Sequence, residues 1–364
     1  MDRPMQRPRA VILGPHGGLA WNRDFLAGRV ETELPYGAER LRNHGFDVQY
    51  PAIEDAGFWS TRVGRSMTRR SHSAAALPIT PALATAPSWL QADVVISLFE
   101  DNGFAMAPLL RAREKSRRRK LVSVVVACWL AEKAVSSSFH VIDRYSRMLA
   151  AFDRVVCFSA NQAELLTGRL RVPAEKVVVT TFGCDTASFD RRNQPRPDRA
   201  VDVVAAGNDV GRDFATFVEA VAPTALDAAI ITNSWHAQRL PHSRIRVLEN
   251  LSRVEYRKQL LGASVVAVPT YPLAYPTGQS VLIEAMAAGC AVVATESAAM
   301  RDYAADGRNA VLVKAGDAIA MREAILSLCE DGPRRQTLGE MAAQDAAERH
   351  DLSRMWSDIA ASIR

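Results

Sequence analysis

The residues best suited to chemistry in this chain sit in short glycine-bearing loops that open onto helical patterns. One runs from Tyr275 to Gly289, where Tyr-Pro-Thr-Gly-Gln-Ser leads into Val281-Leu282-Ile283-Glu284-Ala285-Met286-Ala287-Ala288. The first-turn amides of such a helix have no intrahelical acceptor and lie at the positive end of its dipole, so they suit phosphate oxygens. Gly278 lets the backbone approach a ligand, and the Ser280 hydroxyl adds a donor. Glu284 follows Ser280 by four residues and shares its helical face, where a carboxylate can accept from both hydroxyls of a ribose. An ordinary helix cap with a surface glutamate is the plainer alternative. A second loop, Ala205-Ala206-Gly207-Asn208-Asp209-Val210-Gly211-Arg212-Asp213, also joins an apolar run to a helix start. Arg212 can present a fork of donors to a diphosphate, or pair with Asp209 or Asp213. In the third, Gly14-Pro15-His16-Gly17-Gly18, paired glycines again allow close backbone approach, and His16 is as suited to bonding its own loop as to touching a ligand. None of the three reads G-x-G-x-x-G, which argues against a nicotinamide dehydrogenase.

These loops need a rigid frame, and the pattern around them supplies one. Short apolar runs alternate with helical spacing, the signature of parallel α/β architecture. Strands are expected at 10–13, 47–50, 93–98, 121–127, 154–158 and 176–180, then at 201–205, 228–232, 244–248, 264–268, 291–295 and 310–313. Helices are expected at 33–43, 142–152, 160–170, 213–222, 252–261, 280–288, 317–330 and 352–363. Between the two sets, residues 190–199 (DRRNQPRPDR) are polar, hold two prolines and have no periodicity, which marks a linker. The expectation is two Rossmann-like, doubly wound α/β domains, residues 1–193 and 194–349, facing across a cleft. Residues 350–364 would pack back on the first. Ligands would lie at the carboxyl ends of the strands.

Composition narrows the classes. With 48% hydrophobic and 23% charged residues, the chain can bury a core and is neither disordered nor collagen-like. No run approaches the roughly 18 apolar residues of a membrane span. The N-terminus shows no leader pattern. The five cysteines are scattered without C-x-x-C spacing, which suits buried thiols in a reducing cytoplasm. Charge is uneven: residues 1–200 carry 29 Lys+Arg against 20 Asp+Glu, and the remainder 16 against 20. The densest run, Arg111 to Lys120 (RAREKSRRRK), and Arg62, Arg65, Arg69 and Arg70 upstream read either as a solvated surface or as contacts for anionic lipid. No helix-turn-helix or aromatic platform argues for nucleic acid.

Taken together, the loops resemble a known family. Residues 278–313 (GQSVLIEAMAAGCAVVATESAAMRDYAADGRNAVLV) are similar to the donor-binding stretch of glycosyltransferase family 4, retaining enzymes of GT-B fold. Residues 157–189 resemble the end of the family's first domain, with Gly183, Asp185 and Phe189 on its recurring positions. Arg212 falls where the family usually has a diphosphate-contacting lysine. The likeness covers residues 150–345 well and the first 150 by layout only. Three departures stand out. The acid eight residues before Glu284 is replaced by Pro276, the first-loop arginine by Asn208, and the usual histidine after the fourth strand by Ala127-Cys128-Trp129.

The resemblance implies a retaining glycosyltransferase that moves a hexose from a nucleotide-diphosphate sugar to an acceptor hydroxyl, on a lipid-linked glycan or another membrane-associated molecule. The alternative is a non-catalytic nucleotide-sugar or glycan-binding protein of the same fold. Arg212 and Gln279 are the expected catalytic residues. Gly207, Asn208, Arg212, Thr277, Gly278, Gln279, Ser280, Val281 and Glu284 are expected to bind the nucleotide sugar. His16, Gly17, Gly18, Glu100 and Asp101 are expected on the acceptor side, with the two carboxylates just beyond a strand, where they would cap a turn or act as base. No cofactor beyond the co-substrate and no obligatory metal is expected, and no DxD-type pair lies in a suitable loop. The expected location is the cytoplasm or the inner face of the membrane, reached through Arg111–Lys120.

Overall fold

The structure, a computed structural model, describes residues 7–14, 18–51, 85–115, 121–193, 201–234 and 245–364. It contains two compact units, Met1–Thr180 with Met355–Arg364, and Thr181–Arg354. The boundary therefore falls at Thr180, ahead of the polar stretch at 190–199 that suggested it. Residues after Thr180 already belong to the second unit: Phe182 N donates to Tyr303 Oη at 2.8 Å, and Cys184 exchanges backbone hydrogen bonds with the 350–352 segment at 3.0 Å each.

The first unit holds a six-stranded parallel sheet of β1 (Arg9–Leu13), β2 (Asp47–Gln49), β3 (Val94–Leu98), β4 (Val122–Val126), β5 (Arg154–Cys157) and β6 (Val177–Val179), in the order β2-β1-β3-β4-β5-β6. The second repeats this plan with β7 (Val201–Ala206), β8 (Ala228–Ile231), β9 (Ile245–Leu248), β10 (Ala263–Val268), β11 (Ala291–Thr295) and β12 (Val311–Val313), ordered β12-β11-β10-β7-β8-β9. In the second sheet, alternate residues of each central strand enter separate cores. Val204, Val266 and Val292 lie on one face of the second sheet, and Val203, Val265 and Val293 on the other. A strand covered on both faces has no reason to alternate with polar residues, so its sequence is a continuous apolar run.

Helices fill the crossovers. In the first unit these are α1 (Gly18–Leu26), α2 (Glu100–Lys115), α3 (Leu130–Ser136), α4 (Phe139–Leu149) and α5 (Ala160–Gly168). In the second they are α6 (Phe214–Val221), α7 (Arg253–Gly262), α8 (Gln279–Ala287), α9 (Ala318–Glu330) and α10 (Gly332–Arg349). Ser252 and Glu255 form a reciprocal capping box that starts α7, which satisfies two donors that helix ends otherwise leave open. The small residues around α8 admit close backbones, because a Cβ at Gly339 of α10 would collide with the Gly289 carbonyl.

Three local expectations change. The helix expected over 33–43 is a 3-10 stretch, Pro35–His44, interrupted by Tyr36 and Gly37 in left-handed conformation. Glu100 and Asp101 start a 16-residue helix rather than a turn, and residues 332–349 form a helix not anticipated. The last helix, α11 (Leu352–Ser362), brings the chain back to the first unit. There Trp356 Nε1 donates to Tyr36 O at 2.8 Å, and Thr180 Oγ1 donates to Asp358 Oδ2 at 2.9 Å.

Candidate functional site

In the second sheet β7 lies between β8 and β10, so the winding reverses between β7 and β10. The crevice beyond the carboxyl ends of strands at such a reversal is where open α/β sheets take ligands. Both glycine loops of this half of the sequence arrive there, residues 207–212 from β7 and 270–278 from β10. Their backbones are tied together. Arg212 and Thr270 form an antiparallel bridge, Asp213 N donates to Pro269 O at 3.0 Å, and Tyr271 N donates to Gly211 O at 2.9 Å.

Arg212 is only 8% exposed. Its guanidinium lies between two glycines: a Cβ on Gly207 would collide with Nε, and one on Gly278 would stand 2.5 Å from Nη1. Gly207 and Gly278 have φ of +133° and +93°, backbone that glycine enters readily and other residues do not. Nε and Nη1 are buried and have no hydrogen-bond partner among the described residues. Neither sequence alternative for pairing Arg212 is realised as a hydrogen bond. Asp213 caps α6, accepting from Thr216 N at 3.1 Å and Thr216 Oγ1 at 2.6 Å. Asp209 Oδ1 accepts from Gly211 N, Tyr275 Oη and Thr277 Oγ1 at 2.8, 2.7 and 2.8 Å. Burial pulls the Arg212 pKa down, and Asp209 leads the charges opposing that fall. A desolvated cation with open donors is costly by itself, and an anion is its natural complement.

The same crevice receives the start of α8. Gly278 is its N-cap, Gln279 N bonds Pro276 O at 3.2 Å, and the helical ladder begins with Leu282 N to Gly278 O at 2.9 Å. The amides of Ser280 and Val281 thus precede the ladder, two and three residues after the Gly278 that lies against Arg212. Thr277 is buried, while Gln279 and Ser280 are half-buried. Replacing Gly278 with alanine is expected to cost about 1–2 kcal/mol in backbone strain and to push Arg212 aside. A lower melting temperature together with weaker binding of nucleoside diphosphates checks this.

Other expected residues are placed differently. Glu284 does project toward this end of the sheet, but its oxygens are already engaged. Oε1 accepts from Arg253 Nη2 at 2.8 Å and Oε2 from Tyr256 Oη at 2.6 Å, both from α7. The Arg253 guanidinium also lies 5.5 Å from the Phe189 ring centre and 5.1 Å from that of Tyr256. Glu284, expected from sequence to accept from a ribose, is a carboxylate shared with Arg253 and Tyr256. Asn208 Oδ1 accepts from Asn233 N at 2.6 Å, joining the ends of β7 and β8. Sequence names Asp209 only as a pairing partner for Arg212 and gives no role to Tyr275, Arg253 or Tyr256. Only Asp209, beside Arg212 in a glycine loop, carried a local signal.

In the first unit Glu100 is fully buried, with its oxygens accepting from Cys128 N and Trp129 N at 2.9 Å each. Burial raises its pKa, against the lowering by the Cys128 amide and by its own backbone amide. It clamps the loop after β4 and is not a carboxylate open to an acceptor. Glu100→Gln, which can accept from only one of the two amides, is expected to lower stability by about 1–3 kcal/mol, read as a shift in the urea midpoint. Asp101 instead pairs with Lys133 at 3.4 Å, half in solvent. Gly18 begins α1. His16 and Gly17 lie outside the described residues, as do Arg62, Arg65, Arg69, Arg70, residues 116–120 of the basic run and residues 194–199 of the linker. Of that basic run, Arg111 donates to the Arg147 carbonyl. Among the described residues no helix is long and apolar enough to cross a membrane, and no group of three His, Cys, Asp or Glu is assembled to hold a metal ion.

Residues 214–331 match the family model described as glycosyl transferases group 1. A segment of 104 residues is 35% identical to D-inositol 3-phosphate glycosyltransferase of Corynebacterium diphtheriae, covering 29% of this chain and 24% of that one. The chain thus spans about a quarter of the length of that relative. Among solved structures, sucrose-phosphate synthase from Thermosynechococcus elongatus is similar with a TM-score of 0.68 at 15% identity, over 98% of this chain and 97% of that one. Alr3699/HepE of Anabaena, in complex with UDP-glucose, is similar with a TM-score of 0.66 at 14% identity, over 97% and 99%. At these identities the likeness establishes the fold: two α/β domains with parallel six-stranded sheets, the GT-B architecture.

Proposed function

We propose that this protein is a glycosyltransferase that takes a hexose from a nucleotide-diphosphate sugar and transfers it, with retention at the anomeric carbon, to an acceptor hydroxyl. The observation that carries the reading is the buried Arg212 guanidinium, open at Nε and Nη1, set between Gly207 and Gly278 at the N-terminus of α8. The family match over 214–331 begins two residues after that arginine and includes α8. The complex of the structurally similar Anabaena protein with UDP-glucose supports a nucleotide sugar as ligand class.

The chemistry follows from charge. Breaking the bond between the anomeric carbon and the β-phosphate leaves negative charge on the diphosphate and positive charge on the sugar. Donors fixed in advance where charge develops lower the barrier more than donors that must reorganise. Arg212 and the Ser280 and Val281 amides meet that description for the departing diphosphate. Gln279 lies at the same helix start and would contact the sugar side, while the buried Thr277 hydroxyl is spent on Asp209. Glu284, braced by Arg253 and Tyr256, retains lone pairs for a ribose hydroxyl. The acceptor is assigned to the first unit, at the carboxyl ends of β1 and β3, where that sheet also reverses. A lipid-linked or membrane-associated acceptor fits the cationic excess of residues 1–200.

A panel of UDP, GDP, ADP and dTDP sugars tests this by thermal shift and by release of nucleoside diphosphate. Binding to the folded state raises stability by about 2.7 kcal/mol at a ligand concentration 100 times Kd. The reading expects one base to give both stabilisation and turnover. Stabilisation without hydrolysis or transfer would favour a non-catalytic binder, and no stabilisation by any member would refute the site.

A further inference from the structure

We infer that Asp209 is a positioning residue: its carboxylate latches the loop after β7 to the loop entering α8 and so holds Arg212 on the line of the departing diphosphate. This rests on the function proposed above and deepens it. The latch is a single oxygen. Asp209 Oδ1 takes Gly211 N from its own loop, then Tyr275 Oη and Thr277 Oγ1 from 66 and 68 residues further along the chain. Tyr275 and Thr277 are 4% and 1% exposed, so their hydroxyls cannot fall back on bulk water without opening the loop.

The packing between the loops depends on this contact. A Cβ at Gly211 would stand 2.5 Å from Thr277 Oγ1, 2.8 Å from Asp209 Oδ1 and 2.8 Å from Leu273 Cδ1. Glycine at 211 therefore lets the two loops close on each other, and Asp209 fastens them there. Arg212 follows Gly211 directly, with its backbone bridged to Thr270 and its guanidinium against Gly278. A shift of the 275–278 loop would move the wall against which that guanidinium rests. Asp209 makes no hydrogen bond to Arg212 itself, so the carboxylate braces the loops without occupying the donors at Nε and Nη1. The resemblance noted from sequence lacks an acid at Pro276. In space, a carboxylate reaches the two neighbours of Pro276 from the other loop.

Three variants test the latch, with kcat and KM measured for nucleotide-sugar turnover per folded molecule. Asp209→Ala should lower kcat by about 10- to 100-fold, the range expected of a misplaced reacting group, with a smaller change in KM. Asp209→Asn keeps an accepting oxygen at the junction of the three donors and should restore kcat to within about threefold of the parent. The double variant Tyr275→Phe with Thr277→Val leaves the carboxylate but removes both ties, and should reproduce the loss. It also serves if Asp209→Ala fails to fold. Parent-like kcat in Asp209→Ala or in the double variant overturns the inference, as does Asp209→Asn falling as far as Asp209→Ala. A parent protein that turns over no nucleotide sugar overturns the proposed function, and the latch with it.

Discussion

Replacing Arg212 with alanine should lower kcat/KM for nucleotide-sugar turnover by about 10- to 150-fold. A hydrogen bond to a charged group contributes about 1.5–3 kcal/mol, and each 1.36 kcal/mol of lost transition-state stabilisation is a factor of ten. The loss should appear mainly in kcat, because the diphosphate gains charge as the sugar departs. Arg212→Ala should also fold at least as well as the parent. The site confines a desolvated cation between Gly207 and Gly278, with two of its nitrogens unpartnered among the described residues. Removing such a group relieves a desolvation cost that the neighbouring Asp209 and Glu284 charges offset only in part. An unchanged melting temperature with collapsed turnover is therefore the expected pair of results. Parent-like turnover would take Arg212 out of the reaction.

The second large effect is on stability and pH. His350 ends α10, is fully buried and stacks on Tyr303 with ring centres 5.2 Å apart. Burial, reinforced by the Arg349 charge, lowers its pKa from 6.5 to about 4. Above pH 6.5 the imidazole is neutral in both folded and unfolded chains and stability is unaffected. As pH falls below 6.5 the unfolded chain binds a proton that the folded chain refuses until about pH 4. Stability therefore drains across that window, by about 3 kcal/mol for this residue alone. Urea unfolding at intervals from pH 7 to 4 measures the slope, and His350→Phe should flatten it, whatever its effect on absolute stability. An equally steep slope in that variant would assign the acid sensitivity to other groups.

The frame was legible because its strands are apolar on both faces. Runs such as Ala263–Val268, between Gly262 and Pro269, have few other ways to fold. The helix at 100–115 was hidden by Gly103 and Pro108 within it, residues that punctuate chains more often than they continue helices. The helix at 332–349 has a thin apolar stripe built largely of alanine and glycine, which gives weak periodicity. At the site, the glycine loops and Arg212 could be read from local pattern. What surrounds them could not, because it is made by contacts distant in sequence. Arg253 reaches Glu284 across 31 residues, Tyr275 reaches Asp209 across 66, and Glu100 reaches Cys128 across 28. Helical spacing put Glu284 and Ser280 on one face, but it said nothing of α7 arriving to take up the carboxylate.

The central claim is that Arg212 and the start of α8 grip one diphosphate. The most direct measurement is a crystal structure of the protein with the nucleoside diphosphate that stabilises it most. The account predicts phosphate oxygens within hydrogen-bonding distance of the Arg212 guanidinium and of the Ser280 and Val281 amides. A nucleotide bound elsewhere, with Arg212 still unpartnered beneath Gly278, would contradict it.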